Sequence, residues 1–159
     1  MRVFRFVSLA AGLALVATLS SAQVPVYGSN VNLEQAKKIL TGAEANARSQ
    51  NLPMAIAVVD NAGQLVAFTR MDNTQTGSVA VAQDKAVSAA MYRRPTKVFQ
   101  DVLAAGGAGL RILTLRNANA VEGGIPIVVY GKVMGAVGVS GGSAEQDGVV
   151  AAAGLAAMK

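Results

Sequence analysis

Ile127-Val-Val-Tyr-Gly-Lys-Val-Met-Gly-Ala-Val-Gly-Val-Ser-Gly-Gly-Ser143 is the stretch that decides the fold of this 159-residue chain. Ile127 to Tyr130 and Val133 to Val139 are short apolar runs rich in β-branched residues. Gly131-Lys132 between them is turn chemistry, so the pair predicts a β-hairpin. Ser140-Gly141-Gly142 then breaks the strand. Ser143 and Gln146 have the spacing of a capping box, and Val149, Val150, Ala153 and Ala157 recur at helical spacing behind it. A hairpin that runs directly into a helix predicts helices laid on an antiparallel sheet.

The same pattern extends upstream. Asn32 and Gln35 predict a second capping box, opening a helix to about Gln50 with Leu33, Ala36, Ile39, Leu40, Ala43 and Ala47 on one face. Met54 to Val59 and Gln64 to Thr69 flank the turn sequence Asp60-Asn61-Ala62-Gly63 and predict another hairpin. A helix follows from about Ser78 to Arg93, stopped by Pro95. A short helix carrying Val98, Phe99, Val102 and Leu103 ends at Gly106-Gly107. Leu110 to Leu115 reads as a short strand, and Glu122 to Pro126 as a tight loop. The order α-β-β-α-α-β-β-β-α is an α+β domain, with a central antiparallel sheet of about five strands flanked by helices.

Residues 1–22 read as a secretory signal peptide. Arg2 and Arg5 precede an apolar run from Phe6 to Leu19, and Ser20-Ser21-Ala22 supplies small residues for cleavage before Gln23. Residues 23–159 are then one exported domain, periplasmic or secreted, with no membrane attachment once the signal is removed. The net charge of +5 falls to +3 without Arg2 and Arg5. The basic residues are scattered and there is no Trp, which argues against nucleic-acid binding. Richness in Ala, Val and Gly means that each side chain buries little area, so a homo-oligomer is expected.

The chain contains no histidine and no cysteine. No catalytic triad, Cys-His dyad, zinc cage or imidazole shuttle can be built from it. Its remaining chemistry lies in carboxylates, Lys, Arg, Tyr, hydroxyls, Met sulfur and backbone dipoles. Ser140-Gly141-Gly142, ahead of a helix, presents N–H groups to a carboxylate or phosphate, or is simply a turn. Gly106-Gly107-Ala108-Gly109 lacks the order of a phosphate-binding P-loop. Arg70 has the fork for a carboxylate. Lys85 lies among apolar neighbours in a helix. It either pairs with Asp72, Glu122 or Asp147, or faces a pocket and binds an acid or acts as a base.

Five fragments taken in order carry a family resemblance: Ala55-Ile-Ala-Val-Val-Asp60, Leu65-Val-Ala-Phe68 with Arg70-Met71-Asp72, Lys85-Ala86, Glu122-Gly-Gly-Ile-Pro-Ile127, and Gly135-Ala-Val-Gly-Val-Ser-Gly-Gly142 with Gln146-Asp147. Over about Asn32 to Ala157 the chain resembles the GlcG/HbpS family of haem-binding or haem-degrading-type domains, relatives of the C-terminal domain of PduO. The resemblance implies a profilin-like α/β/α arrangement, an oligomer, and binding of haem or a similar tetrapyrrole. Cofactor-binding candidates are then Arg70, Lys85, Tyr92, Ser140, Gly141 and Gly142, converging on a ligand that bears carboxylates. Without histidine, iron would fall to Tyr, Met or Lys, with Tyr92, Tyr130, Met71 and Met91 the named candidates, whose ordinary roles are core filling or a half-buried hydroxyl. Gly148 stands where many relatives carry an acid. An enzyme acting on a carboxylated metabolite through Lys85, Arg70 and Asp147, or a non-catalytic oligomeric interaction module, are the alternatives to a haem binder.

Overall fold

The computed structural model describes residues 24–159. The signal-peptide reading therefore lies outside the described residues. Both capping boxes form. Asn32 Oδ1 accepts from Gln35 N at 2.9 Å, and Gln35 Oε1 accepts from Asn32 N at 3.0 Å, opening α1 (Leu33–Ser49). Ser143 and Gln146 repeat the arrangement at the start of α4 (Ala144–Ala156). Each box satisfies backbone donors that a helix start leaves unpaired.

The first hairpin pairs β2 (Ala55–Asp60) with β3 (Leu65–Arg70), and the Asp60 carboxylate accepts from the turn N–H groups of Ala62 and Gln64. Next come α2 (Thr76–Tyr92) and α3 (Thr96–Ala104). Pro95 stands at the junction and caps the start of α3. The second hairpin pairs β4 (Gly124–Val129) with β5 (Lys132–Ser140), and β5 is central, with β4 on one side and β2 on the other. β1 (Val26–Tyr27) runs parallel to β5 at Lys132 and Val133, which completes a five-stranded sheet.

Three expectations are corrected. Leu110 to Leu115 is not a strand: residues Gly107–Thr114 form a 3-10 helix. Gly109 and Ile112 are buried while Leu110 and Leu113 are exposed, a three-residue period that suits a 3-10 turn and not a pleat. Glu122 to Pro126 is not all loop, because β4 starts at Gly124. Val139 N donates to Gly123 O, so Pro126 falls where its nitrogen points away from β5 and the missing N–H breaks no ladder bond. The second hairpin turn is Tyr130-Gly131, one residue earlier than expected. The fifth strand is thus β1, which is too short to signal itself in the sequence.

α1 and α4 cover one face of the sheet and α2 the other, an α/β/α sandwich. Among the described residues no helix is long and apolar enough to cross a membrane.

Candidate functional site

Lys85 faces inward. It is 1% exposed, and its ammonium donates to Asp147 Oδ2 at 2.6 Å and to the Val139 carbonyl at 3.1 Å. Asp147 lies in the first turn of α4, and its Oδ1 accepts the Gly142 N–H at 2.9 Å. The Ser-Gly-Gly turn and the positive end of α4 do hold a carboxylate, and it is the chain's own. Ser140 bonds the Ser78 hydroxyl at 3.1 Å. Burial pushes the Asp147 carboxyl above its ordinary range, while Lys85 and the Gly142 N–H pull it back. A Cβ on Gly123, whose φ is +127°, would meet both Asp147 and Lys85, so glycine is needed to seal the pair. Glu122 lies instead against Gly148, where a side chain would collide with its carboxylate.

The expected cup is not assembled. Lys85, Gly141 and Gly142 serve the internal ion pair. Arg70 pairs with Ala55, and Ala55 with Ser140, so Arg70 and Ser140 share a face two strands apart. Arg70 is exposed, and its guanidinium reaches the Thr74 carbonyl at 3.4 Å. Tyr92 ends α2 while Ser78 begins it, so about 21 Å of helix separates them. Its hydroxyl donates to the Arg116 carbonyl at 2.6 Å, and its ring meets Phe99 edge-on at 5.1 Å. Met71 is core filler, and Met91 is exposed beside Asn117.

A different concavity combines apolar walls with polar side chains at one end. A groove of about 540 Å³ opens between β4 and the end of α4. Ile125, Ile127 and Val129 line one side, Leu155 and Met158 the other, with Tyr130 and Lys159 completing it. Val129 pairs with Lys132 across the hairpin, but the Lys132 stem lies against Gly28 on the β1 side and does not line the groove. Tyr130 is 99% exposed, with a φ of +48° beside Gly131 at +72°. Two positive φ values are what a two-residue hairpin turn requires, and Asn-Gly or Asp-Gly is the usual way to supply them. A tyrosine there is strained, and a fully exposed ring gains nothing from burial. The groove escapes a reading of the sequence because its walls come from separate elements and Ile125-Pro126 resembles a loop. Tyr-Gly in place of Asn-Gly is the available signal.

Residues 31–156 match the family model described as haem degrading protein HbpS-like. The chain belongs to the HbpS-like family. It is 36% identical to the protein GlcG of Escherichia coli K12 over 67% of this chain and 78% of that one. A double mutant of Streptomyces reticuli HbpS superposes with a TM-score of 0.75 at 25% identity, covering 94% of this chain and 97% of that chain. The structure of a PduOC:heme complex superposes with a TM-score of 0.73 at 25% identity, covering 80% of this chain and 94% of that chain. The span matched to the HbpS-like model contains the Lys85–Asp147 pair and the groove walls up to Leu155; Met158 and Lys159 lie beyond it.

Proposed function

We propose that this HbpS-like protein is exported and binds haem or a related tetrapyrrole in the groove between β4 and α4. The observation that carries this is the groove's composition: apolar walls, Lys159 and a free phenol, in a volume within the usual range of ligand pockets. A tetrapyrrole has a flat apolar ring, acidic side chains and a metal that accepts an oxygen or sulfur donor. Ile125, Val129 and Leu155 suit the ring, Lys159 suits a carboxylate, and Tyr130 and Met158 supply the donors. When bound, haem would bring a redox-active iron to this face. The relative captured as a PduOC:heme complex supports the reading.

Hemin titrated into the mature protein should develop a shifted, saturable Soret band. Ala152 lines the groove from α4 and is already exposed, so Ala152→Glu adds a carboxylate with little cost to folding. That variant should bind hemin about tenfold more weakly, while Arg70→Ala, remote from the groove, should match wild type. Equal affinities for wild type and Ala152→Glu would remove the groove from consideration.

Export rests on Arg2, Arg5, the Phe6 to Leu19 run and the small residues up to Ala22. Protein recovered from a secreting host should begin at or near Gln23 by mass spectrometry; retention of Met1 would refute this. Assembly is supported by exposed Val98, Leu110, Leu113 and Leu115 on α3 and the 3-10 helix with the segment after it. Light scattering should report more than one chain, and a stable monomer at micromolar concentration would exclude the oligomer.

A further inference from the structure

We propose that Tyr130 is the iron ligand of this protein, and that the site therefore selects ferric tetrapyrroles over metal-free ones. The inference rests on the groove reading above and adds the residue that meets the metal. The whole chain offers no histidine and no cysteine, which leaves phenols and thioethers as the chief uncharged donors. Tyr27 and Tyr92 both have hydroxyls engaged with main-chain carbonyls, at 2.8 and 2.6 Å. Among the described residues Tyr130 has no such partner, and it lines the groove.

Its backbone strengthens the case. A left-handed φ of +48° on a bulky residue costs free energy that Asn or Gly would avoid, and a 99% exposed ring recovers none of it by packing. Strain without local compensation is the mark of a residue kept for what it touches. The two-residue turn fixes the Tyr130 backbone at the open end of β4. On binding, the phenol loses its proton to solvent, an iron–oxygen bond forms, and the bond from iron to its water or halide breaks. The oxidation state is unchanged.

The test titrates hemin and metal-free protoporphyrin IX into wild type, Tyr130→Phe and Tyr130→Asn. Wild type should prefer hemin by about tenfold or more, and its hemin complex should show phenolate-to-iron charge-transfer absorption. Both variants should lose the preference and the band, so that each binds hemin no more tightly than the metal-free porphyrin. Tyr130→Asn should also melt at a higher temperature than wild type, because Asn suits the turn. A Tyr130→Phe protein that retains preference and band overturns the assignment and leaves the groove reading intact. Equal binding of the two porphyrins by wild type overturns it in the same way. Failure of wild type to bind either porphyrin overturns the groove and Tyr130 together.

Discussion

The two faces of the sheet are packed by opposite rules. Toward α1 and α4 the core is built from large aliphatics, among them Ile39, Leu40, Ile56, Val58, Ile127 and Val137. Toward α2 it is built from alanine: Ala55, Ala57, Ala82, Ala86, Ala89 and Ala136. Gly124 and Gly138 let the α2 backbone come so close that a Cβ on either would strike main-chain atoms of the helix. The one long side chain that α2 buries completely is Lys85, with Asp147 as its counter-charge. One face is stabilised by apolar area, the other by close approach, with a single buried ion pair linking α2 to β5 and α4. Mutation should therefore act differently on the two.

The largest effect is expected at the ion pair. Asp147→Ala leaves a buried ammonium uncompensated and should cost about 3–5 kcal/mol in urea unfolding. The double variant Lys85→Met with Asp147→Leu removes both charges and should recover most of that loss. If the double variant is as unstable as Asp147→Ala, the loss does not come from the uncompensated ammonium. Next in size is Gly138→Ala. One added methyl meets the Ala82 carbonyl and the Ala86 N–H, so it should cost about 1–3 kcal/mol. On the opposite face, Ile56→Val removes one methyl from an aliphatic core and should cost about 0.5–1.5 kcal/mol. Gly138→Ala proving milder than Ile56→Val would erase the distinction between the faces.

This asymmetry also explains what the sequence shows and what it hides. Capping boxes and hairpin turns are local, so Asn32–Gln35, Ser143–Gln146 and the Asp60 turn are legible, and with them the α+β layers. The 3-10 helix at Gly107–Thr114 is not, because its exposure pattern depends on packing against α3. The sequence narrows the Lys85 partner to three carboxylates and cannot choose among them, since pairing across 62 positions depends on how α4 returns to the sheet. The Ser-Gly-Gly turn is legible as a cradle for an anion. That the anion is internal follows from tertiary placement alone. The groove is hidden for the same reason, while its most informative residue, Tyr130, breaks a local turn preference in plain view.

The smallest expected effect concerns pH, and it separates the faces without a change in volume. Burial raises the Asp147 carboxyl above its unfolded value, so the folded protein takes up this proton more readily than the unfolded chain does. A raised acid favours folding at low pH, and that contribution is lost as pH rises from the unfolded pKa through the folded one. Asn has no such proton to take up, so its own contribution does not vary over this range. The stability difference between wild type and Asp147→Asn should thus move in favour of wild type as pH falls from neutral toward the ordinary carboxylate range. Exposed Glu145 has the opposite sign, since its own N–H and the Ser143 hydroxyl hold it low, but it is common to both proteins and cancels. The cost of Ile56→Val, measured across the same range, should stay flat, because no ionisable side chain lies in the α1/α4 core cluster. A flat Asp147→Asn difference would mean that the Lys85 ammonium fully offsets the burial of the carboxylate. The two faces would then differ in packing alone.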